Sequence, residues 1–118
     1  MTLDQLRLTA LGFDHTTESF PFNETTLVFK VGGKMFLLVD VEQPHKITLK
    51  SFPEKALDLI ETNAWISPGF HMNKTHWITL DTSSEIASPH RIHQLVQESY
   101  ALVYAGLTKK VRQALENR

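Results

Sequence analysis

The chain has 118 residues, 42% of them hydrophobic and 21% charged, with a net charge of −1 when the histidines are neutral. That composition fits one domain with a real core and argues against a strongly basic protein held to nucleic acid by bulk charge. The absence of cysteine excludes disulfides, thiolate chemistry and cysteine-ligated zinc, and no apolar run approaches the roughly 18 residues of a membrane span.

The N-terminus lacks a basic-then-apolar signal layout, so the expectation is one cytoplasmic domain over residues 1–118 with no membrane contact. "TLDQLRLTALG" reads as a helix: Thr2 caps it, Gln5 completes a capping box, Leu3, Leu6 and Ala10 share a face, and Gly12 ends it. "HTTESFPFNET" reads as an irregular approach, because Pro21 opposes regular structure.

"TLVFKVGGKMFLLVDV" is a β-hairpin about Gly32-Gly33, which supply the positive φ angles of a two-residue turn. In the simplest register Val31 faces Lys34, Phe29 faces Phe36 and Leu27 faces Leu38. Phe29, Phe36, Leu27 and Leu38 then form the core face, with Lys30, Val28, Met35 and Leu37 behind it. "KITLK" is a third strand, with Ile47 and Leu49 inward and Lys46, Thr48 and Lys50 outward.

"SFPEKALDLIETN" is a second helix, with Ser51 as cap, Glu54 closing a capping box, Pro53 in the first turn and Ala56, Leu57 and Ile60 as the apolar stripe. "AWI" and "KTHWITL" are two more strands about a Pro68-Gly69 turn. A long helix runs from Ser88-Pro89 to about Ala105, with Ile92, Leu95, Val96, Ser99 and Val103 inward. Gly106 breaks it, and Thr108 begins a short last helix. The order α-β-β-β-α-β-β-α-α gives an α+β fold: two layers, a five-stranded antiparallel sheet with helices on one face.

His71 and His76 stand five apart, about 140° apart on a helix and on opposite faces of a strand, so neither geometry chelates one ion. In "PGFHMNKTHWITL" Asn73 suits a turn, Lys74 lies along the surface, Trp77 packs on the sheet, and His76 has the parity of a half-buried residue. His90 and His93 share a helix face without a third ligand; His93 with Tyr100 and Tyr104 reads as the flank of that helix. Gly32-Gly33 followed by Lys34 lacks phosphate-loop spacing, and there is no nucleophile elbow or paired acid and base. No catalytic residue, cofactor or metal site is assigned, and the chain is expected not to be an enzyme.

Carboxylates are absent from residues 25–39, 43–53, 62–80 and 99–115, which carry Lys30, Lys34, Lys46, Lys50, Lys74, Lys109, Lys110 and Arg112. If all helices cover one sheet face, Lys30, Lys46 and Lys50 share the other, and with Trp77 or Met35 they form a cationic surface suited to phosphates and bases. An acidic protein partner would suit that surface equally, and an ordinary solvated sheet face is the plainest alternative.

The segments "VFKVGGKMFLLV", "ITLKSFPEKALDLIE", "PGFHMNKTHWITL" and "LVQESYALVYAGL" resemble, in order and spacing, the MmcQ/YjbR family over residues 20–107. The resemblance implies a secretion-chaperone-like arrangement of helix, three strands, helix, two strands and helix. It also implies DNA binding by a double-wing arrangement of hairpins, with signature positions Lys34, Phe36, Lys50, His71, Asn73, Lys74, His76 and Trp77. The expected function is thus a non-enzymatic protein, monomeric or weakly dimeric, that binds double-stranded DNA. Lys30, Lys34, Lys46, Lys50 and Lys74 would meet phosphates, alongside His71, Asn73, His76 and Trp77. The alternatives are a protein-interaction or chaperone-like module, and a metal or small-ligand carrier using His71 and His76.

Overall fold

The computed structural model describes residues 1–69 and 72–117. Within them lie helices α1 (Leu3–Leu11), α2 (Pro53–Thr62), α3 (Pro89–Ala105) and α4 (Lys109–Glu116), and strands β1 (Thr16–Ser19), β2 (Thr26–Val31), β3 (Lys34–Asp40), β4 (Lys46–Lys50), β5 (Ile66–Pro68) and β6 (Trp77–Asp81). The strands form one antiparallel sheet in the order β1-β2-β3-β4-β6-β5. α3 crosses β2, β3 and β4, α2 lies on β5 and β6, and α1 sits beside β1. The α+β architecture is the one expected, with six strands in place of five.

The sixth strand, β1, falls in the segment read as irregular. Its residues, Thr-Thr-Glu-Ser, show no apolar alternation, so nothing in their pattern signals a strand. Long-range contacts define it: Thr16 pairs with Val31 and Ser19 with Val28. Arg7 of α1 donates Nε–H to Glu18 Oε2 at 2.9 Å and makes a second bond to Oε1, tying helix to edge strand. α1 itself starts as expected, with Gln5 N–H donating to Thr2 Oγ1 at 3.1 Å and Thr2 N–H to Gln5 Oε1 at 2.9 Å.

The β2–β3 turn is built by Gly32 and Gly33, at φ 57° and 80°. A Cβ on Gly32 would come within 2.7 Å of Leu107 and 2.9 Å of Val111, so the hairpin tip is packed against the corner between α3 and α4. The register departs from the simple one. Val31 pairs with Lys34 and Lys30 with Met35, but Phe29 pairs with Leu37, Val28 with Leu38 and Leu27 with Val39. Phe36 is the extra residue of a bulge. It keeps Phe36 in the helix-side core, adds Leu37 to it, and turns Leu38 onto the opposite face beside Val28. Leu37 and Leu38 therefore exchange the sides expected of them.

The bulge interrupts the β3–β4 ladder, whose regular pairing begins at Leu37 with Leu49. Continued by one step, it would join Phe36 to Lys50. There α3 supplies the missing rung: the fully buried Ser99 accepts the Lys50 N–H at 2.9 Å and donates its hydroxyl to the Phe36 carbonyl at 2.6 Å. The rest of α3 follows its pattern, with Ile92, Leu95, Val96 and Val103 buried and Ser88 Oγ accepting the Arg91 N–H at 3.0 Å. Phe13, Tyr100 and Tyr104 stack along its flank, Phe36 meets Phe13 and Tyr100 edge-on, and His93 lies 6.4 Å from the Phe13 ring. α4 starts on Thr108 as expected.

α2 begins differently from expectation. Its N-cap is Phe52, with no side-chain cap bond. Ser51 is buried, gives its N–H to the His76 carbonyl at 2.8 Å, and turns its hydroxyl to the Phe52 carbonyl; extended pairing with the β6 approach has displaced the capping box. The buried stripe of α2 is Ala56 and Leu59, while Leu57 is 61% exposed.

Two outcomes test this description. Ser99→Ala strands a buried carbonyl and a buried amide, each worth about 1–3 kcal/mol, so its denaturation midpoint should fall by the equivalent of about 2–4 kcal/mol with an unchanged m value; a loss near zero would refute the rung. The Arg7 hydrogen bond holds the Glu18 carboxyl below its ordinary range. The resulting stability is present above the unfolded value of about 4.3 and is lost as pH falls through the lowered folded value. Glu18→Gln should remove that part of the acid limb of the stability–pH curve.

Candidate binding face

All four helices contribute to the core on one side of the sheet: Leu6 and Ala10 from α1, Leu59 from α2, Leu95 and Val96 from α3, and Leu115 from α4 pack with Phe29, Ile47, Ile78 and Leu80. Among the described residues, the other side carries a small apolar cluster of Val28, Leu38 and Trp77, with Met35 and Met72 against it. Cross-strand partners point to the same side, so the register fixes what that uncovered face presents. Its middle row runs Val28, Leu38, Thr48, Thr79, Ser67 across β2, β3, β4, β6 and β5. Thr48 and Thr79 join their hydroxyls at 3.0 Å.

The row toward the hairpin tip holds Thr17, Lys30 and Met35 on one side and Lys50 opposite Trp77 on the other. The row at the far end holds Thr26 opposite Asp40 and Lys46 opposite Asp81. Lys46 and Lys50 are four residues apart on β4, roughly 13 Å at strand rise, so the face has two chemically different ends.

The tip end is cationic. Lys30 and Lys50 stand on the uncovered face, Lys34 begins β3 beside the turn, and Lys74 lies in the connection between β5 and β6, where its ammonium donates to the Gly69 carbonyl at 3.3 Å. The strand residues that this end presents on the uncovered face include no carboxylate; Glu18 of β1 is paired with Phe29 and so takes the covered side, where Arg7 binds it. Lys34 is paired with the core residue Val31 and so has the parity of the covered side. The sequence-based grouping of five lysines thus resolves into Lys30 and Lys50 on the face, Lys34 and Lys74 around its end, and Lys46 at the opposite end.

The signature stretch is rearranged from expectation. Trp77 is only 7% exposed, because it fills the gap over Val28 and Leu38; it offers no open ring for a base to stack on. His76 is exposed, since it sits in the turn before β6, where strand parity does not apply. Asn73 does organise that turn: its Oδ1 accepts the Thr75 N–H at 2.8 Å and its carbonyl the N–H groups of His76 and Trp77. His71 lies outside the described residues. Among the described residues no three histidine, aspartate or glutamate side chains form a metal-holding group, and no helix is long and apolar enough to cross a membrane.

The far end is a cleft of about 830 Å3 over Leu38, Thr48 and Thr79, walled by Phe22 and Met72 and rimmed by Asp40, Lys46 and Asp81. Hydrogen bonds from Ser83 hold the Asp81 carboxyl below the ordinary range, helped by His45 and Lys46 nearby. Sequence reasoning placed Thr48 on this face by strand parity but missed both aspartates. Each ends its strand and hydrogen-bonds the next turn, Asp40 through Glu42 N–H and Asp81 through Ser83. Only the sheet order brings them together.

The model of the family described as YjbR matches residues 11–102. The chain is 40% identical over 92 residues to the protein named "Uncharacterized protein YbdF" of Escherichia coli O157:H7, covering 77% of this chain and 75% of that one. It is 31% identical over 87 residues to "Uncharacterized protein YjbR" of Escherichia coli K12, covering 73% of each. Among solved structures, Deinococcus radiodurans protein DR2400 superposes with a TM-score of 0.87 at 37% identity, covering 98% of this chain and 88% of that one. A Pseudomonas syringae protein superposes with a TM-score of 0.71 at 26% identity, covering 86% and 98%.

The burial of Trp77 separates a packing role from a contact role. Trp77→Ala should lower stability by about 3–5 kcal/mol, as an emptied aromatic site does, whereas Lys50→Gln should stay within about 0.5 kcal/mol. Thermal melts of the two variants make the comparison, and an unchanged melt for Trp77→Ala would refute the packing role.

Proposed function

The chain belongs to the YjbR family, and from that premise we propose that it is a non-enzymatic cytoplasmic binding protein, monomeric or weakly dimeric, that meets double-stranded DNA at the hairpin end of its uncovered sheet face. One observation carries the reading: the strand register puts Lys30 and Lys50 on the side that no helix covers, in a row whose uncovered-face strand residues include no carboxylate, Glu18 of β1 being paired with Phe29 on the covered side. Neither ammonium is engaged in an ion pair within 4 Å among the described residues, where the ion pairs are Arg7–Glu18 and Lys55–Glu98. Free ammonium groups two strands apart, roughly 9–10 Å, suit contact with successive phosphates. Such contacts position a duplex without reading its sequence.

Lys34 and Lys74 extend this surface around the hairpin end. Lys46 does not, because Asp81 stands opposite it and Asp40 closes the neighbouring strand. Stacking of bases on Trp77 is dropped from the reading.

A protein partner is the second reading, and it has its own observation. Phe22, which lines the cleft on the same face, is 62% exposed, and Phe20 in the same connection between β1 and β2 is 49% exposed; exposed large aromatics are frequent anchors of protein interfaces.

Titration of a labelled duplex over a series of salt concentrations tests the first reading. Each phosphate contact adds about 0.9 to the slope of log affinity against log salt, so Lys30→Gln with Lys50→Gln should lower the slope by about 1.8 and leave the melting temperature within a few degrees. Absent or salt-independent binding by the wild-type chain overturns it.

A further inference from the structure

We infer that the cleft at the far end of the uncovered face is a binding site for a small zwitterion with apolar side chains, of the class of a short peptide with both termini free. The inference stands apart from the DNA reading, since it uses neither Lys30 nor Lys50. Three charges of alternating sign, Asp40, Lys46 and Asp81, come from three adjacent strands and rim one cavity. Asp81 is directly opposite Lys46, and the register places Asp40 next along the other side. Yet Lys46 makes no hydrogen bond or ion pair within 4 Å to either among the described residues.

The carboxylates are oriented for a further partner. Asp40 uses Oδ1 for the Glu42 N–H at 2.9 Å, and Asp81 uses Oδ1 for the Ser83 N–H at 3.0 Å and hydroxyl at 2.6 Å. Those turn bonds fix both side chains and leave each Oδ2 without a hydrogen bond among the described residues. An ammonium group would find a carboxylate oxygen here, and a carboxylate would find the Lys46 ammonium.

The rest of the cavity selects for apolar bulk. Leu38 forms its floor, and Met72 and Phe22 its walls. Its volume of about 830 Å3 lies within the ordinary range for small-molecule sites and exceeds what one amino acid fills. Adjacent strands are about 4.8 Å apart. The termini of an extended dipeptide are at most about 7 Å apart, so such a molecule spans from Lys46 to a neighbouring aspartate. A polyanion is disfavoured by the two carboxylates, which sets this end apart from the lysine-bearing one.

The test uses the whole chain and the dipeptide leucyl-leucine, followed by amide chemical-shift changes and calorimetry. Shifts should concentrate on Leu38, Thr48, Thr79 and Asp81, and capping either terminus, as N-acetyl-leucyl-leucine or leucyl-leucine amide, should weaken binding at least tenfold. Lys46→Gln should weaken the free dipeptide while leaving the amide unaffected; Asp81→Asn, which keeps the Ser83 acceptor, should weaken the free dipeptide while leaving the N-acetyl form unaffected. The Lys30→Gln, Lys50→Gln double variant should bind the dipeptide as wild type does, so loss of DNA binding and loss of dipeptide binding are read independently. No shifts at millimolar dipeptide, equal binding of the capped forms, or shifts located elsewhere would overturn the inference.

Discussion

At the centre of this fold one buried hydroxyl bridges the helical layer and two strands of the sheet. Where the bulge at Phe36 takes β3 out of step with β4, a buried carbonyl and a buried amide lose each other as partners, and Ser99 of α3 reaches between them to satisfy both. Leaving such groups unpaired in the core is among the more damaging defects a small domain can carry. The bulge fixes which residues of β3 face the helices, and the Ser99 bridge fixes where the helix sits on the strands. The presentation of Lys50, whose amide is one end of that bridge, depends on it directly.

The bulge also explains how an uncovered sheet face stays folded. Turning Leu38 outward places it beside Val28 and under Trp77, so the middle of that face has a small apolar cluster of its own. Charged residues are thereby confined to the two ends, lysines beside the hairpin turn and a mixed-charge rim at the opposite edge. Segregation of charge along the strand axis is a product of strand parity and bulge placement together. One residue fewer in β3 would scramble it.

Much of this was legible in the chain itself. Helix boundaries at Thr2, Gly12, Ser88, Gly106 and Thr108 followed from local capping chemistry, and the inward residues of α3, Ser99 among them, followed from periodicity. What escaped were features set by contacts distant in sequence. β1 has no apolar pattern and depends on Arg7 and β2. The bulge has no glycine or other local mark, so counting outward from the turn gave the wrong partner for Phe29. Ser51 looked like a cap until its amide was needed by His76. Of the candidate site, Lys30, Lys46, Thr48 and Lys50 were placed correctly by parity, whereas Asp40 and Asp81 gather only through the crossover that sets β6 beside β4.

The packing of Gly32 against Leu107 and Val111 has a consequence for how the hairpin behaves. A double-wing reading invites the image of arms that swing in to embrace a ligand, but this tip is packed against the α3–α4 corner, and a swing would have to break that contact. A surface held in this way would surrender little backbone entropy to a partner that docked on it. Adaptation of shape would then fall to whatever meets the hairpin.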